Sequence, residues 1–339
     1  MPKPKKTNAQ PSINYTSLCT EENWKYGTWY SDTYRASISV NGSPNIDCDM
    51  THIRIPLAEE KEAIAAEMFS LKKENMPAFN EWLWQRLRRH VQNVRLLNKA
   101  NVNGVIELYQ ADVQKDVNGS EIRDIYLLTP RYMPYHDAIK DKDLPLTNVI
   151  GLGIRMGNIL RDIAAADIAH GDICMDAIYS DEEGKLFLGN FLYSDSISAP
   201  KDENPYQYVL PAHASERSIV TGRRTQNEDV YALCSLIWNI VGEIPADERM
   251  PYRVIPKKAP PELINTLRTC MSMDQEAAIP GFRKYISDMM RTQKTDNSAI
   301  SFFVPGFRPV YTTEEVPVRE ATEEDLFIAI EDLHRRAAN

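Results

Sequence analysis

The stretch from His170 to Leu192 constrains the fold of this chain more than any other part of the sequence. It reads HGDICMDAI over residues 170–178 and GKLFLGNFL over residues 184–192. The intervening residues 181–184, Asp-Glu-Glu-Gly, form a turn signal, so a β-hairpin is predicted after a polar loop. Asn190 follows Asp172 by 18 residues.

The patterns on either side predict a β-rich part followed by a helical part. Trp84, Leu87, Val91 and Val94 recur at helical spacing, and Met76-Pro77 divides this helical stretch in two. Strands are predicted at 34–40, 51–55, 105–109 and 125–128, and helices at 58–100, 146–168, 227–241 and 260–272.

The order of these segments resembles that of protein kinases. His170-Gly171-Asp172 and the segment Asn190-Phe191-Leu192 are similar to the catalytic loop H-R-D and the metal-binding motif D-F-G. Other matches in the same order are Thr33–Ala36 for the glycine-rich hairpin, Tyr126–Leu128 and Arg131–Pro134 for the strand and hinge, Ala214-Ser215-Glu216 for A-P-E, and Asn227–Leu233 for the helix that follows. The resemblance covers roughly residues 24–292.

This resemblance implies an α+β fold with two lobes. Residues 1–20 are polar and are predicted to be a disordered tail. Residues 21–130 would form the β-rich small lobe, with an extra helix at about 58–79, and residues 131–295 the mainly helical large lobe. Residues 296–339 would form a C-terminal extension whose terminal helix either docks on its own domain or binds a partner.

The resemblance also implies that phosphoryl transfer is lost, because that chemistry depends on positioned charges and metal ligands. Asp172 alone matches the expected base. Arg54 stands for the strand lysine, Asn93 for the helix glutamate, Gly171 for the loop arginine and Cys174 for the loop lysine. Ala177 and Asn190 replace the two metal ligands, so no metal site and no cofactor are expected. His170 and Phe191 match structural packing positions, and Leu192 stands for the glycine of D-F-G. A Cys–His nucleophile pair of Cys174 and His170 is the less favoured alternative.

Six further positions match the wall of a nucleotide pocket. His52 and Tyr179 are bulky where the family has small residues, which leads to the hypothesis that they fill the adenine space. The six positions are Thr33, His52, Pro130, Tyr132, Met133 and Tyr179.

Composition favours a cytoplasmic protein. The net charge of −9 disfavours a global grip on nucleic acid, although Arg86–His90 forms a local basic stretch. Five scattered cysteines without a CxxC pair suit a reducing compartment. No apolar run is long enough for a membrane span.

The function that follows is that of a pseudokinase, an inactive kinase-like domain that scaffolds or regulates a protein partner without binding Mg-ATP. An active kinase or phosphatase is the candidate partner, and the inserted helix is the first candidate interface. The alternative is a divergent nucleotide-binding kinase or transferase with weak activity. The oligomeric state stays open.

Overall fold

The computed structural model describes residues 24–38, 46–115, 122–139, 146–198, 205–208, 211–222, 224–242 and 259–271. The tail 1–20, the turns predicted at Asn41-Gly42 and Asn118-Gly119, and the extension 296–339 lie outside the described residues. Where described, the chain is a mixture of helices and antiparallel sheet, as expected of the α+β class.

The chain divides into two units, whose described parts lie in 24–81 with 107–131 and in 82–106 with 132–271. The elements are β1 (Trp24–Gly27), β2 (Asp32–Ile38), β3 (Ile46–Ile55), α1 (Glu59–Met68), α2 (Met76–Lys99), β4 (Gln110–Lys115), β5 (Arg123–Thr129), β6 (Met133–Pro134), α3 (Tyr135–Ile139), α4 (Leu146–Ala165), β7 (Ile168–Ala169), β8 (Ile178–Ser180), β9 (Leu186–Leu188), β10 (Asp195–Ser196), α5 (Glu216–Thr221), α6 (Gln226–Gly242) and α7 (Pro261–Cys270).

The first unit is built on a five-stranded antiparallel sheet in the order β1-β2-β3-β5-β4. Both faces of the sheet bury side chains, because Cys48 and Met50 lie on one face and Ile53 and Ile55 on the other, all inaccessible to solvent. The strand predicted at 105–109 is wrong, since β4 begins at Gln110. Residues 105–109 are instead largely buried as irregular chain, where Val105 forms an isolated bridge to Leu188.

A helix is present where the sequence predicted an extra helix at about 58–79, but it is shorter than predicted. α1 covers Glu59–Met68, and a short 3-10 turn at Lys73–Asn75 leads directly into α2. Three glutamates in the first turn of α1 suit the positive end of the helix dipole. Pro77 stands in the first turn of α2, where a missing N–H costs nothing, so the predicted division at Met76-Pro77 is correct.

The second unit is mainly helical, with α4 packed against α6 and α6 against α7. α4 buries a wide apolar stripe because its apolar residues recur every three to four positions. A three-stranded sheet, β6-β8-β9, contains the predicted hairpin, and β7 pairs with β10. Among the described residues no helix has the length and hydropathy of a membrane span.

Candidate functional site

The polar loop at His170 is fixed by a carboxylate from α6. Asp229 accepts hydrogen bonds from the backbone N–H groups of His170 at 2.7 Å and Gly171 at 2.8 Å. Burial raises the pKa of Asp229 to about 7, while the two N–H donors oppose that shift. Asp229 lies in the first turn of α6, so the helix that carries it also sets the conformation of the loop.

His170 is a neutral, structural histidine. Its Nδ1 accepts from the backbone N–H of Asp172 at 3.2 Å, so the proton lies on Nε2, which donates to the carbonyl oxygen of Gly189 at 2.7 Å. Its ring meets Phe191 edge-on with the centroids 4.6 Å apart. Burial lowers the pKa of His170 to about 4. Because both ring nitrogens bind backbone groups, the alternative of a Cys174–His170 nucleophile pair finds no support here.

Gly171 occupies a position where only glycine fits. Its φ is +83°, and an added Cβ would lie 2.7 Å from the carbonyl oxygen of Tyr193. Its own carbonyl oxygen accepts from the hydroxyl of Tyr206 at 2.7 Å. The backbone at residue 171 therefore excludes any side chain.

Asp172 is buried, with only 9% of the residue exposed. Burial, followed by the nearby carboxylate of Asp176, raises the pKa of Asp172 to about 7, and a hydrogen bond from the Cys174 thiol partly opposes this. Burial in turn raises the pKa of Cys174. A thiol of raised pKa is a poor nucleophile, so Cys174 serves as a hydrogen-bond donor to Asp172 rather than as an attacking group.

The two positions that would hold metal ions offer no anionic ligand. Ala177 is fully buried, and its carbonyl oxygen accepts from the backbone N–H of Gly189 at 2.8 Å. Asn190 lies at φ 55° and ψ 51°, a left-handed conformation that asparagine tolerates better than most residues. Among the described residues no group of three or more His, Cys, Asp or Glu side chains is placed to hold a metal ion.

Tyr179 fills space beside the hairpin. A Cβ on Gly189 would come within 2.7 Å of its ring, so the ring packs directly on the glycine backbone. Tyr132 lies 6.4 Å from Tyr179 and 5.0 Å from Phe187, measured between ring centroids. Met133 pairs with Ser180 in the β6–β8 ladder. Pro130 is half-buried and follows β5.

No protein-family model matches the chain, and no curated protein matches it either.

Helix α2 anchors the segment that follows Asn190. Buried Arg86 donates from Nε to the carbonyl oxygen of Leu192 at 2.7 Å and from Nη2 to that of Ser194 at 2.8 Å. Asn93 donates to the hydroxyl of Ser194 at 2.8 Å. Asn93, the position that stands for the helix glutamate, is thus part of a neutral hydrogen-bond network within the second unit.

The side chains of the basic stretch Arg86–His90 mostly contact other residues of the same chain. Arg89 pairs with Asp195, which also pairs with Arg224 at 2.7 Å. Arg88 lies over the ring of Trp84 at 5.9 Å from the centroid. These contacts support an intramolecular role for the stretch over a nucleic-acid site.

In the first unit, the turn between β1 and β2 is clamped by the inserted helix. The Nζ of Lys61 donates to the carbonyl oxygens of Thr28 at 2.6 Å and Ser31 at 3.1 Å, and to Asp32 Oδ1 at 3.0 Å. The hydroxyl of Thr28 also accepts from the backbone N–H of Ser31 at 3.1 Å. This is the turn that resembles the glycine-rich phosphate loop. Its polar groups bond to each other and to Lys61 of α1.

The register between β2 and β3 shows which residues share a face of the sheet with Thr33. Thr33 pairs with Thr51, and their hydroxyls share a hydrogen bond of 3.0 Å. Side chains alternate along a strand, so Thr51 and Ile53 share the face of Thr33, whereas His52 and Arg54 point to the opposite face. Thr33 and His52, both matched to the wall of one nucleotide pocket, therefore lie on opposite faces of the sheet, and Arg54 shares the face of His52.

His52 is held by partners on its own face of the sheet. His52 stacks on Tyr126 with the ring centroids 4.8 Å apart, and its Nε2 shares a hydrogen bond of 2.8 Å with Asp124. Arg54 is exposed. The proposed filling of the adenine space by His52 is thus not supported, because its ring is held on the other side of the sheet.

Several residues that shape the two units escape sequence reasoning. Lys61 and Tyr206 lie far along the chain from the groups they contact, and no local pattern marks them. The same holds for the ion pair of Lys25 with buried Asp49, at 2.5 Å, on the face of the sheet that carries Thr33. An acid in the middle of a strand was the available signal, since buried carboxylates require a partner.

Proposed function

We propose that the chain is a pseudokinase, with a bilobal kinase-like arrangement and no phosphoryl-transfer activity, which acts through contacts with a protein partner. An active kinase or phosphatase is the partner class that this reading favours. The free thiols of Cys48, Cys174, Cys234 and Cys270 suit work in the reducing cytoplasm.

The loop around His170 supports the kinase-like part of the proposal. Asp229 holds the backbone of the loop, and the His170 ring packs on Phe191. The hairpin that follows ends at Asn190. These contacts join the segments whose order carries the family resemblance. The support is local to the second unit.

The observation that carries the loss of activity is the chemistry at the two ends of the hairpin. Ala177 is fully buried and has no ligand atom in its side chain, and Asn190 is uncharged. Mg²⁺ prefers anionic oxygen ligands in near-octahedral geometry. Without such ligands the β- and γ-phosphates of a nucleotide lack the counter-charge on which phosphoryl transfer depends.

The first unit supports the same conclusion independently. The β1–β2 turn directs its Thr28 and Ser31 carbonyl oxygens to Lys61, and its Thr28 N–H donates to Ser31 at 2.8 Å. A phosphate loop needs free backbone N–H groups that point at the ligand. Arg54, the strand residue matched to the phosphate-binding lysine, is exposed and points to the sheet face opposite Thr33.

One observation favours a second candidate, a divergent enzyme. The pKa of Asp172 is raised to about 7, which is the range suited to general base catalysis at neutral pH. Perturbed carboxylates are typical of active sites. This candidate requires a substrate that reaches Asp172, whereas the residue is buried.

A thermal-shift titration with ATP, with and without Mg²⁺ or Mn²⁺, tests the proposal. We expect no shift in the Tm of the wild-type protein at millimolar nucleotide, whereas ligand at 100 times its Kd would stabilise the native state by about 2.7 kcal/mol. The matched variant is Ala177→Asn with Asn190→Asp, which rebuilds the two ligand positions. A metal-dependent shift in the wild type, with turnover that Asp172→Ala abolishes, would favour the enzyme.

A further inference from the structure

Helix α1 leaves its large apolar side chains exposed to solvent. Its one fully buried side chain is the small Ala65, whereas its two largest apolar side chains, Ile64 and Met68, are 43% and 58% exposed. A surface helix ordinarily turns its large apolar residues toward the core. Exposed residues recur at helical spacing along one face, which we call the α1 stripe: Glu60, Ala63, Ile64, Glu67 and Met68.

The α1 stripe is held rigidly by contacts on the other side of the helix. Lys61 is tied to three oxygens of the β1–β2 turn. Phe69, immediately after the helix, meets Trp29 edge-on at 5.0 Å and lies 6.0 Å from Phe79. A surface that is already ordered loses little conformational entropy when a partner binds.

The charged residues of α1 are mainly acidic. The helix contains four glutamates, Glu59, Glu60, Glu62 and Glu67, and its single lysine, Lys61, is turned away into the clamp. On the α1 stripe, the apolar pair Ile64 and Met68 is therefore flanked by the exposed glutamates Glu60 and Glu67. Such a surface complements an amphipathic segment whose apolar face is flanked by lysine or arginine.

We propose that the α1 stripe is the docking site for a basic amphipathic helix of the partner protein. Ile64 and Met68 would contact the apolar face of that helix, while Glu60 and Glu67 would pair with its flanking lysines or arginines. This inference rests on the proposed function, in that it names the surface and the chemistry of the partner through which a pseudokinase would act.

Charge disfavours two other occupants of the α1 stripe. A second copy of the chain would place the same glutamates against each other, in a protein whose net charge is already −9. The chain's own terminal segment carries an apolar pattern at Leu326, Ile330 and Leu333, but it contains Glu323, Glu324, Asp325, Glu331 and Asp332 against only Arg335 and Arg336. Both occupants would add acid to acid.

The test uses the full chain and a designed peptide of about 18 residues, or five helical turns, made of leucine and lysine in amphipathic order. We expect the labelled peptide to bind, as measured by fluorescence anisotropy, and Ile64→Asp with Met68→Asp to weaken binding at least tenfold. Glu60→Lys with Glu67→Lys should weaken it similarly. A peptide with glutamate in place of each lysine should bind at least tenfold more weakly than the lysine peptide.

Leu96→Asp and Val220→Asp are the matched controls, because both residues are exposed apolar side chains outside α1. Retained affinity in the controls, with unchanged Tm in all variants, locates binding on the stripe. Equal binding by wild type and the Ile64/Met68 variant, or no binding at all, overturns the proposal. Tighter binding after removal of residues 312–339, or self-association lost in the stripe variants, overturns the choice of occupant.

The ATP titration of the same wild-type protein separates this inference from the proposed function. If ATP raises the Tm in a metal-dependent way and the peptide still binds, the pseudokinase proposal is wrong and the docking proposal stands. If the peptide does not bind to the α1 stripe and ATP does not change the Tm, the docking proposal is wrong. The pseudokinase would then contact its partner through another surface.

Discussion

At Gly171, Asp172 and Ala177 the side chains that would perform chemistry are absent or enclosed. The enclosure has physical causes that can be measured one residue at a time. Gly171 is fixed by a left-handed backbone and the Tyr193 carbonyl, and Asp172 by burial beside Cys174. The two causes predict opposite changes in the free energy of unfolding: Gly171→Ala should lower it, and Asp172→Asn should raise it at pH 8.

Substitution Gly171→Ala should destabilise the protein by about 2–4 kcal/mol, from the left-handed dihedral and from overpacking against Tyr193. Gly184→Ala is the comparison, because Gly184 has φ +78° and carries the dihedral cost in a turn. Urea denaturation of both variants measures the difference. Equal effects at the two glycines would mean that the contact with Tyr193 contributes nothing.

Substitution Asp172→Asn should stabilise the protein at pH 8. The pKa of Asp172 is raised by burial to about 7 in the folded state, against about 3.9 in the unfolded chain. Between these values the folded state binds the extra proton, so this group makes the protein less stable as pH rises from about 4 to about 7. At pH 8 the variant should gain about 1–4 kcal/mol, at about 1.4 kcal/mol per pKa unit.

Asp229→Asn is the matched control, measured by urea denaturation at pH 5 and pH 8. Asp229 accepts two backbone N–H bonds, and its pKa is also raised to about 7. An asparagine offers one acceptor oxygen where the carboxylate offers two, so this variant should lose stability at both pH values. A loss of stability in Asp172→Asn at pH 8 would contradict the role assigned to burial.

At the scale of the element, the sequence predicted what local patterns encode. The hairpin around residues 181–184, the helices near 146–168 and 227–241, and the break at Met76-Pro77 follow from turn residues, periodicity and proline chemistry. The register of β3 could not be predicted, because a one-residue slip exchanges both faces of the strand. The clamp on the β1–β2 turn depends on Lys61, which lies about 30 residues away.

Substitution Lys61→Met keeps most of the side-chain stem and removes the ammonium, so it tests the clamp directly. We expect a loss of about 1.5–3 kcal/mol, the range for hydrogen bonds to a charged group, and faster amide hydrogen exchange at residues 28–32. Lys72→Met should have almost no effect, because Lys72 is exposed and its contact with Glu74 spans 4.0 Å. Similar effects of the two variants on exchange would show that α1 does not hold the turn.

At the scale of the whole molecule, buried histidines and buried carboxyl groups change the stability in opposite directions as the pH changes. Burial lowers the pKa of His90, His170 and His213 to about 4, so these residues reduce stability as pH falls from about 6.5 toward 4. Asp172 and Asp229 act in the opposite sense, because their raised pKa values make the folded state bind protons first. The two sets therefore offset each other in the window between about pH 4 and pH 7.

This offset predicts a shallow dependence of stability on pH. At pH 5.5 the unfolded chain should hold nearly three more protons on the histidines, and the folded state two more on the carboxyls, so unfolding should take up about one proton. The slope of the free energy of unfolding against pH should then be about +1.4 kcal/mol per unit, and Asp172→Asn should roughly double it, because one of the opposing carboxyls is gone. Urea denaturation between pH 5 and pH 6 measures both slopes. A wild-type slope near three protons would mean that the carboxyls are ionised in the folded state, and the burial argument for Asp172 would then fail with it.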